Sequence, residues 1–197
     1  MTGPGRDTDR ARPVVVLFRH DLRIADNSAL HEAAATGKPV VAVFVLDDEA
    51  PGGRRLGAAR RWWLHHSLAA LGRDLARLGA RLTLRRGEMR VVAQSLVQET
   101  GADLVVWNRR YDPHGISADT AMKSALAERG IAAASHDGHL LHEPWRLTTQ
   151  AGGPFRVYTP FWRALVSQGE PRDPVPAPPA LLPYRGDLAS DALAGWD

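Results

Sequence analysis

Apolar residues form two unbroken runs early in the chain, Val14-Val15-Val16-Leu17-Phe18 and Pro39 to Leu46. Uninterrupted runs of this length predict strands covered on both faces, as in a parallel sheet. Between them, Asn27 to Thr36 carries alanine and leucine and ends at Gly37. That predicts a short crossover helix capped by Asp26 or Asn27, with a right-handed connection as the default.

Further along, Leu64, Leu68, Leu71, Leu75 and Leu78 recur at alternating spacings of four and three. One apolar stripe of that period predicts a helix over Leu56 to Leu78, stopped by Gly79. Ala80 to Arg85 reads as a third strand, Glu88 to Glu99 as a surface helix closed by Gly101, and Asp103 to Trp107 as a fourth strand. Ser117 is a candidate cap for a helix running to Arg129, and Ile131 to Ser135 reads as a fifth strand. Strands alternating with helices in this way predict an α/β fold. The expected architecture is a Rossmann-like, doubly wound, five-stranded parallel sheet with helices on both faces.

Past about residue 137 the pattern changes. His139 to Pro154 is polar and turn-rich, Phe155 to Thr159 reads as a short extended piece, and Pro160-Phe161-Trp162 opens a helix reaching Gln168. Gly169 to Pro183 holds six prolines and almost no periodicity, which suits a linker or strap. The expected organisation is a flexible tail over 1–12, an α/β domain over 13–168 and a proline-rich strap over 169–197. High mobility is expected beyond about Arg172, because the strap should lack its packing partner unless a second copy covers it and makes a homodimer.

Composition narrows the picture further. Hydrophobic residues at 44% and charged residues at 24% are globular values. The absence of cysteine excludes disulfides, thiolate metal sites and cysteine nucleophiles, and fits a cytoplasmic location. Met1 to Arg12 has no apolar core of a signal peptide, and the longest apolar runs fall far short of a membrane span. Of the 25 basic residues only Lys38 and Lys123 are lysines. Coding bias explains this richness in arginine, and so does a positive face for phosphate. A net charge of +3 is weak support for nucleic-acid binding, and DNA is not expected to bind tightly.

Two loops carry the candidate chemistry. The first, Arg19 to Asp26, leaves the carboxyl end of the first strand, where open α/β sheets place their ligands. Asp21 and Arg23, or Arg19 and Asp26, pair to pin this loop, or the loop holds an anionic or polar ligand. No glycine fingerprint stands at the turn, which argues against a dinucleotide site. The second loop, Trp107-Asn108-Arg109-Arg110-Tyr111-Asp112-Pro113-His114, faces the first if strand order reverses beside strand one. Its aromatic, amide, guanidinium and carboxylate groups suit a flat heteroaromatic ligand; the alternative is a solvated loop with Trp107 as core. Arg54, Arg55, Arg60 and Arg61 surround the start of the long helix, as a solvated face or as an anion site at a helix amino terminus. Trp62 and Trp63 are adjacent, so both cannot lie on the apolar stripe, and one is expected at a pocket or interface. His136, Asp137, His139, His142 and Glu143 match none of the usual zinc spacings, and no metal is expected.

Four blocks in order resemble the DNA photolyase/cryptochrome family. They are Phe18-Arg19-His20-Asp21-Leu22-Arg23, Asp26-Asn27 with Ala29-Leu30, Trp107-Asn108 with Tyr111-Asp112-Pro113, and Gly153-Pro154-Phe155-Arg156-Val157-Tyr158-Thr159-Pro160-Phe161. The resemblance implies the family's N-terminal domain, which holds a light-harvesting antenna chromophore, a reduced folate or a deazaflavin. It implies cofactor contacts at Arg19, Asp21, Phe44, Arg60, Asn108 and Asp112, with Asp112 where the family often has glutamate. It assigns FAD, DNA and repair of cyclobutane pyrimidine dimers to a C-terminal helical domain that this sequence does not resemble. The expected chain is therefore an antenna domain of a deoxyribodipyrimidine photo-lyase, a carbon–carbon lyase in its complete form and inactive alone. The alternatives are a cryptochrome photoreceptor and a free-standing nucleotide-binding protein.

Overall fold

The structure, a computed structural model, describes residues 11–47 and 56–196. Five strands, β1 (Val14–Phe18), β2 (Val40–Leu46), β3 (Leu82–Arg86), β4 (Leu104–Asn108) and β5 (Ala132–His136), form one sheet in the order β3-β2-β1-β4-β5. All pairings are parallel, with Val14 opposite both Val40 and Leu104. The helices are α1 (Ser28–Ala35), α2 (Ala58–Arg77), α3 (Met89–Thr100), α4 (Pro113–Ala127) and α5 (Tyr158–Ser167).

The sheet separates two cores because successive side chains of a strand point to opposite faces. Val14, Val16 and Phe18 pack with Ala29, Leu30 and Ala33 of α1 and with Leu68, Leu71 and Leu75 of α2. Val15 and Leu17 pack with Ala93, Leu96 and Val97 of α3 and with Met122 and Leu126 of α4. β1 is buried along its whole length, which is why its run is unbroken. The chain winds from β1 to β3 on one side, then crosses to β4, so the order switches between β1 and β4.

Local chemistry sets the helix starts that matter to the site. Asn27 caps α1, its side chain accepting from Leu30 N at 3.0 Å. Asp112, not Ser117, caps α4: it accepts from Gly115 N at 2.9 Å, and Pro113 occupies the first turn. Proline there has no N–H to leave unpaired, so the helix opens four residues before the expected cap.

The proline-rich segment corrects a second expectation, because it does have a packing partner. Leu181, Leu188 and Trp196 are buried in the two cores. Leu181 N donates to Leu78 O at 2.7 Å, Val40 N to Leu182 O at 2.9 Å and Asp191 N to Leu84 O at 2.9 Å. The strap thus runs back over α2 and the outer edge of β3, covering backbone groups that an open edge would expose. Of the expected tail, residues 1–10 lie outside the described residues, and Ala11 and Arg12 are exposed. Among the described residues no helix is long and apolar enough to cross a membrane.

Candidate functional site

The switch between β1 and β4 brings the two candidate loops together, and a buried polar network joins them. Asn108, at the end of β4, donates from Nδ2 to Asp21 Oδ2 at 2.7 Å and to Asn27 Oδ1 at 2.9 Å. Its Oδ1 accepts from Ala29 N at 3.1 Å. Asp21 Oδ1 accepts from Arg19 N at 2.8 Å. All the polar atoms of the Asn108 amide are therefore engaged in holding the β1 loop and the start of α1. Gly138 closes over this amide: a Cβ there would stand 2.7 Å from Asn108 Cγ, so only glycine fits.

Arg19 forms the second half of the network. Its Nη1 and Nη2 meet Asp119 Oδ1 and Oδ2 at 2.5 and 3.1 Å, and Nη2 also donates to Asn108 O at 2.5 Å. Trp107 Nε1 donates to Asp119 Oδ2 at 3.0 Å. Asp119, on α4, thus ties β1, β4 and α4 together by a bidentate pair, the geometry at which guanidinium excels.

Above this network lies a cleft of about 1140 Å³. Its floor includes Arg19, Phe44 and Leu46; α2 contributes Arg60, Trp63, Leu64 and Ser67. The start of α3 contributes Glu88, Met89 and Arg90, and the β4–α4 side contributes Arg110, Asp112, His114 and Ser117. Of the six expected cofactor contacts, Arg19, Phe44, Arg60 and Asp112 converge here. Asp21 and Asn108 do not line it: at 1% and 0% exposed, their side chains are taken up by the buried network. Arg54 and Arg55 of the basic cluster lie outside the described residues.

The second loop divides three ways. Asn108 is buried, while Arg110, Asp112 and His114 face the cleft. Arg109 and Tyr111 turn away to Glu143, each at 2.7 Å from its Oε1. Burial first, then the bond to Glu143, pushes the Tyr111 hydroxyl up to about 12. Asp112 is held below the ordinary carboxylate range. Burial alone would raise it, but the Gly115 N–H at 2.9 Å and the Arg110 guanidinium at 2.9 and 3.0 Å overcome that. Burial, then Arg110, lowers His20, and burial likewise lowers His139. The rim of the cleft is charged and its floor holds one aromatic ring, Phe44, with donors and acceptors converging on one space. That combination can orient a flat polar heterocycle.

Sequence reasoning does not find Asp119, Met89 or Arg90. Asp119 carries no local signal, since nothing distinguishes it from any other helical aspartate until β1 is laid beside α4. Among the described residues no group of three or more His, Asp or Glu side chains is placed to hold a metal ion.

A sequence profile of DNA photolyase matches residues 14–180 of the chain. A deoxyribodipyrimidine photo-lyase of Agrobacterium fabrum is 48% identical over 95% of this chain and 38% of its own length. Cryptochrome-2 of Arabidopsis thaliana is 38% identical over 94% of this chain and 30% of its length. Among solved structures, a class III photolyase from Agrobacterium tumefaciens superposes with a TM-score of 0.89 at 46% identity. That match covers 98% of this chain and 40% of the other. The chain therefore spans well under half the length of these proteins.

Proposed function

Since the chain belongs to the DNA photolyase family, we propose that its α/β fold binds a light-harvesting antenna chromophore in the cleft at the β1/β4 switch. The observation that carries this reading is the convergence of Arg19, Phe44, Arg60 and Asp112 on one space of about 1140 Å³, a size that suits a cofactor. The donor set fits a reduced folate or a deazaflavin. Phe44 offers an aromatic floor, the exposed Arg60 a cation for an anionic group, and Asp112 an acceptor for a ring N–H. Asp47 also lines the cleft; its Oδ2 accepts from Met89 N at 3.0 Å, while Oδ1 has no hydrogen-bond partner among the described residues. The chromophore supplies absorption and passes on the excitation. The chain's own residues bind it, orient it and exclude water.

In the complete protein this antenna would serve a deoxyribodipyrimidine photo-lyase, with FAD and DNA held by the family's C-terminal helical domain. The 48% identity to the Agrobacterium fabrum photo-lyase and the 46% identity to the class III photolyase structure support the repair reading. The helical domain is the partner this reading implies, with a second copy of the chain as the other cover for exposed Leu141, Trp145, Tyr158 and Trp162. A chain without cysteine suits the cytoplasmic location that the reading carries.

The test is titration of the purified chain with methenyl-tetrahydrofolate and with a hydroxy-deazaflavin, followed by circular dichroism induced in the ligand's absorption band. Saturable binding of one of them, weakened severalfold by Arg60→Ala, is the expected result. Binding of neither would sink the reading.

A further inference from the structure

We propose that Trp63 is the side chain that stacks on the chromophore's ring and sets the cleft's preference for flat heteroaromatic ligands. This rests on the reading of the cleft as a chromophore site and adds to it a residue with a defined role.

The geometry of α2 comes first. Arg60, Trp63, Leu64 and Ser67 all line the cleft, at the i, i+3, i+4 and i+7 positions that share one helical face. This face lies beside the core stripe of Leu68, Leu71 and Leu75, so the helix serves the core and the cleft with adjacent sides. Trp63 is 70% exposed. An exposed tryptophan alone needs no function, but this one stands at the rim of a cavity with an aromatic floor at Phe44 and a thioether at Met89. Indole and thioether are both soft, polarizable partners for a planar ring.

Trp62 supplies an internal comparison. It is the same residue type, one position away and 62% exposed, yet it is not among the residues lining the cleft. Its ring meets that of His66 edge-on, with centroids 4.5 Å apart. Two neighbouring tryptophans of similar exposure thus differ in which side of the helix they serve. Stacking tolerates changes in the ring's substituents because every planar heterocycle has a π-face. Trp63 therefore selects a class of ligand, and the polar groups around it discriminate within the class.

The experiment compares four proteins, the wild type, Trp63→Leu, Trp63→Phe and Trp62→Leu, each titrated with methenyl-tetrahydrofolate and with the hydroxy-deazaflavin. Both tryptophans are exposed, so thermal midpoints should agree across the set and confirm intact folds. Trp63→Leu should weaken binding about tenfold or more, in line with the worth of one aromatic stack. Trp63→Phe should retain most of the affinity, and Trp62→Leu should bind like the wild type. Wild-type affinity in Trp63→Leu, or equal losses in Trp62→Leu and Trp63→Leu, would overturn the assignment while leaving the cleft as the site. Failure of the wild type to bind either ligand would overturn the cleft reading and this assignment with it.

Discussion

At Asp112 a single carboxylate accepts the Gly115 N–H, pairs with Arg110 and borders the cleft. These duties separate by substitution. Asp112→Ala should cost about 1 kcal/mol of stability through the lost cap, and its pair with Arg110 is too exposed to add much. Asp112→Asn keeps a good capping side chain and should unfold close to the wild type. Chromophore affinity should drop roughly tenfold in both, since the charged acceptor is gone from each. Asp74→Ala, which loses only an exposed pair with Arg77, is the control. Denaturant melts and ligand titrations on the four proteins read out both effects, and an Asp112→Asn affinity equal to wild type would show the carboxylate to be a cap alone. Asp119 presents the opposite case. Removing it leaves the buried Arg19 guanidinium without its counter-charge, so Asp119→Ala should cost about 3 kcal/mol; a loss below about 1 kcal/mol would mean water replaces the carboxylate.

For the secondary-structure elements, the strap yields the sharpest expectation. The amide of Leu181 bonds to Leu78 O and that of Asp191 to Leu84 O, and the Leu181 side chain is buried. Hydrogen exchange at these two amides should be slowed well beyond that of exposed loop residues, and exchange at the unfolded-chain rate would contradict the packing described. Leu181→Ala should destabilise by about 3 kcal/mol, the ordinary cost of a leucine-sized cavity. Other elements are legible from pattern alone. β1, β2 and the leucine stripe of α2 emerge close to their observed bounds, because unbroken apolar runs and a 3.6 period are strong local signals. The start of α4 is misplaced at Ser117 by pattern, although Asp112-Pro113 is a cap followed by a first-turn proline and already carries the better signal. The strap is misread for a different reason. Prolines announce an extended backbone, but no local pattern says that Leu181, Leu188 and Trp196 return to cores built around β1 and β2 at the other end of the chain.

Taken as a whole molecule, the histidines near the switch give a dependence on pH. Burial holds His20 and His139 below their ordinary value of 6.5, so an unfolded chain binds protons in a range where the fold does not. Stability is then full above about pH 6.5 and falls as pH drops through the lowered values. Asp26, Glu99 and Asp112 are shifted below their ordinary 3.8 to 4.5, so their loss of stabilisation comes at more acidic pH. Melting temperatures measured between about pH 7 and about pH 5 should decline, and a His20→Gln, His139→Gln double variant should flatten the decline. An unchanged slope would remove these two groups from the account. A second expectation concerns the proposed division of labour: this chain with added FAD and light should not repair a thymine-dimer oligonucleotide above the no-protein control. Repair would show that the family's helical domain is dispensable.

From its sequence alone this chain was bound to form alternating strands and helices with apolar strands buried on both faces, since those features depend on neighbours a few residues apart. The same local order placed Arg19 to Asp26 and Asn108 to Asp112 at strand ends. Which of their side chains face the cleft was decided by the tertiary structure. The β1/β4 switch drew Asp21, Asn108 and Arg19 into a buried network, turned Arg109 and Tyr111 toward Glu143, and left Arg110 and Asp112 facing the cleft, with Arg19 lining it from within the network. It also recruited Asp119 from a helix a hundred residues after Arg19. Hydrogen bonding and burial there are satisfied among groups distant in sequence, and chain order does not encode which of several nearby polar residues completes such a set.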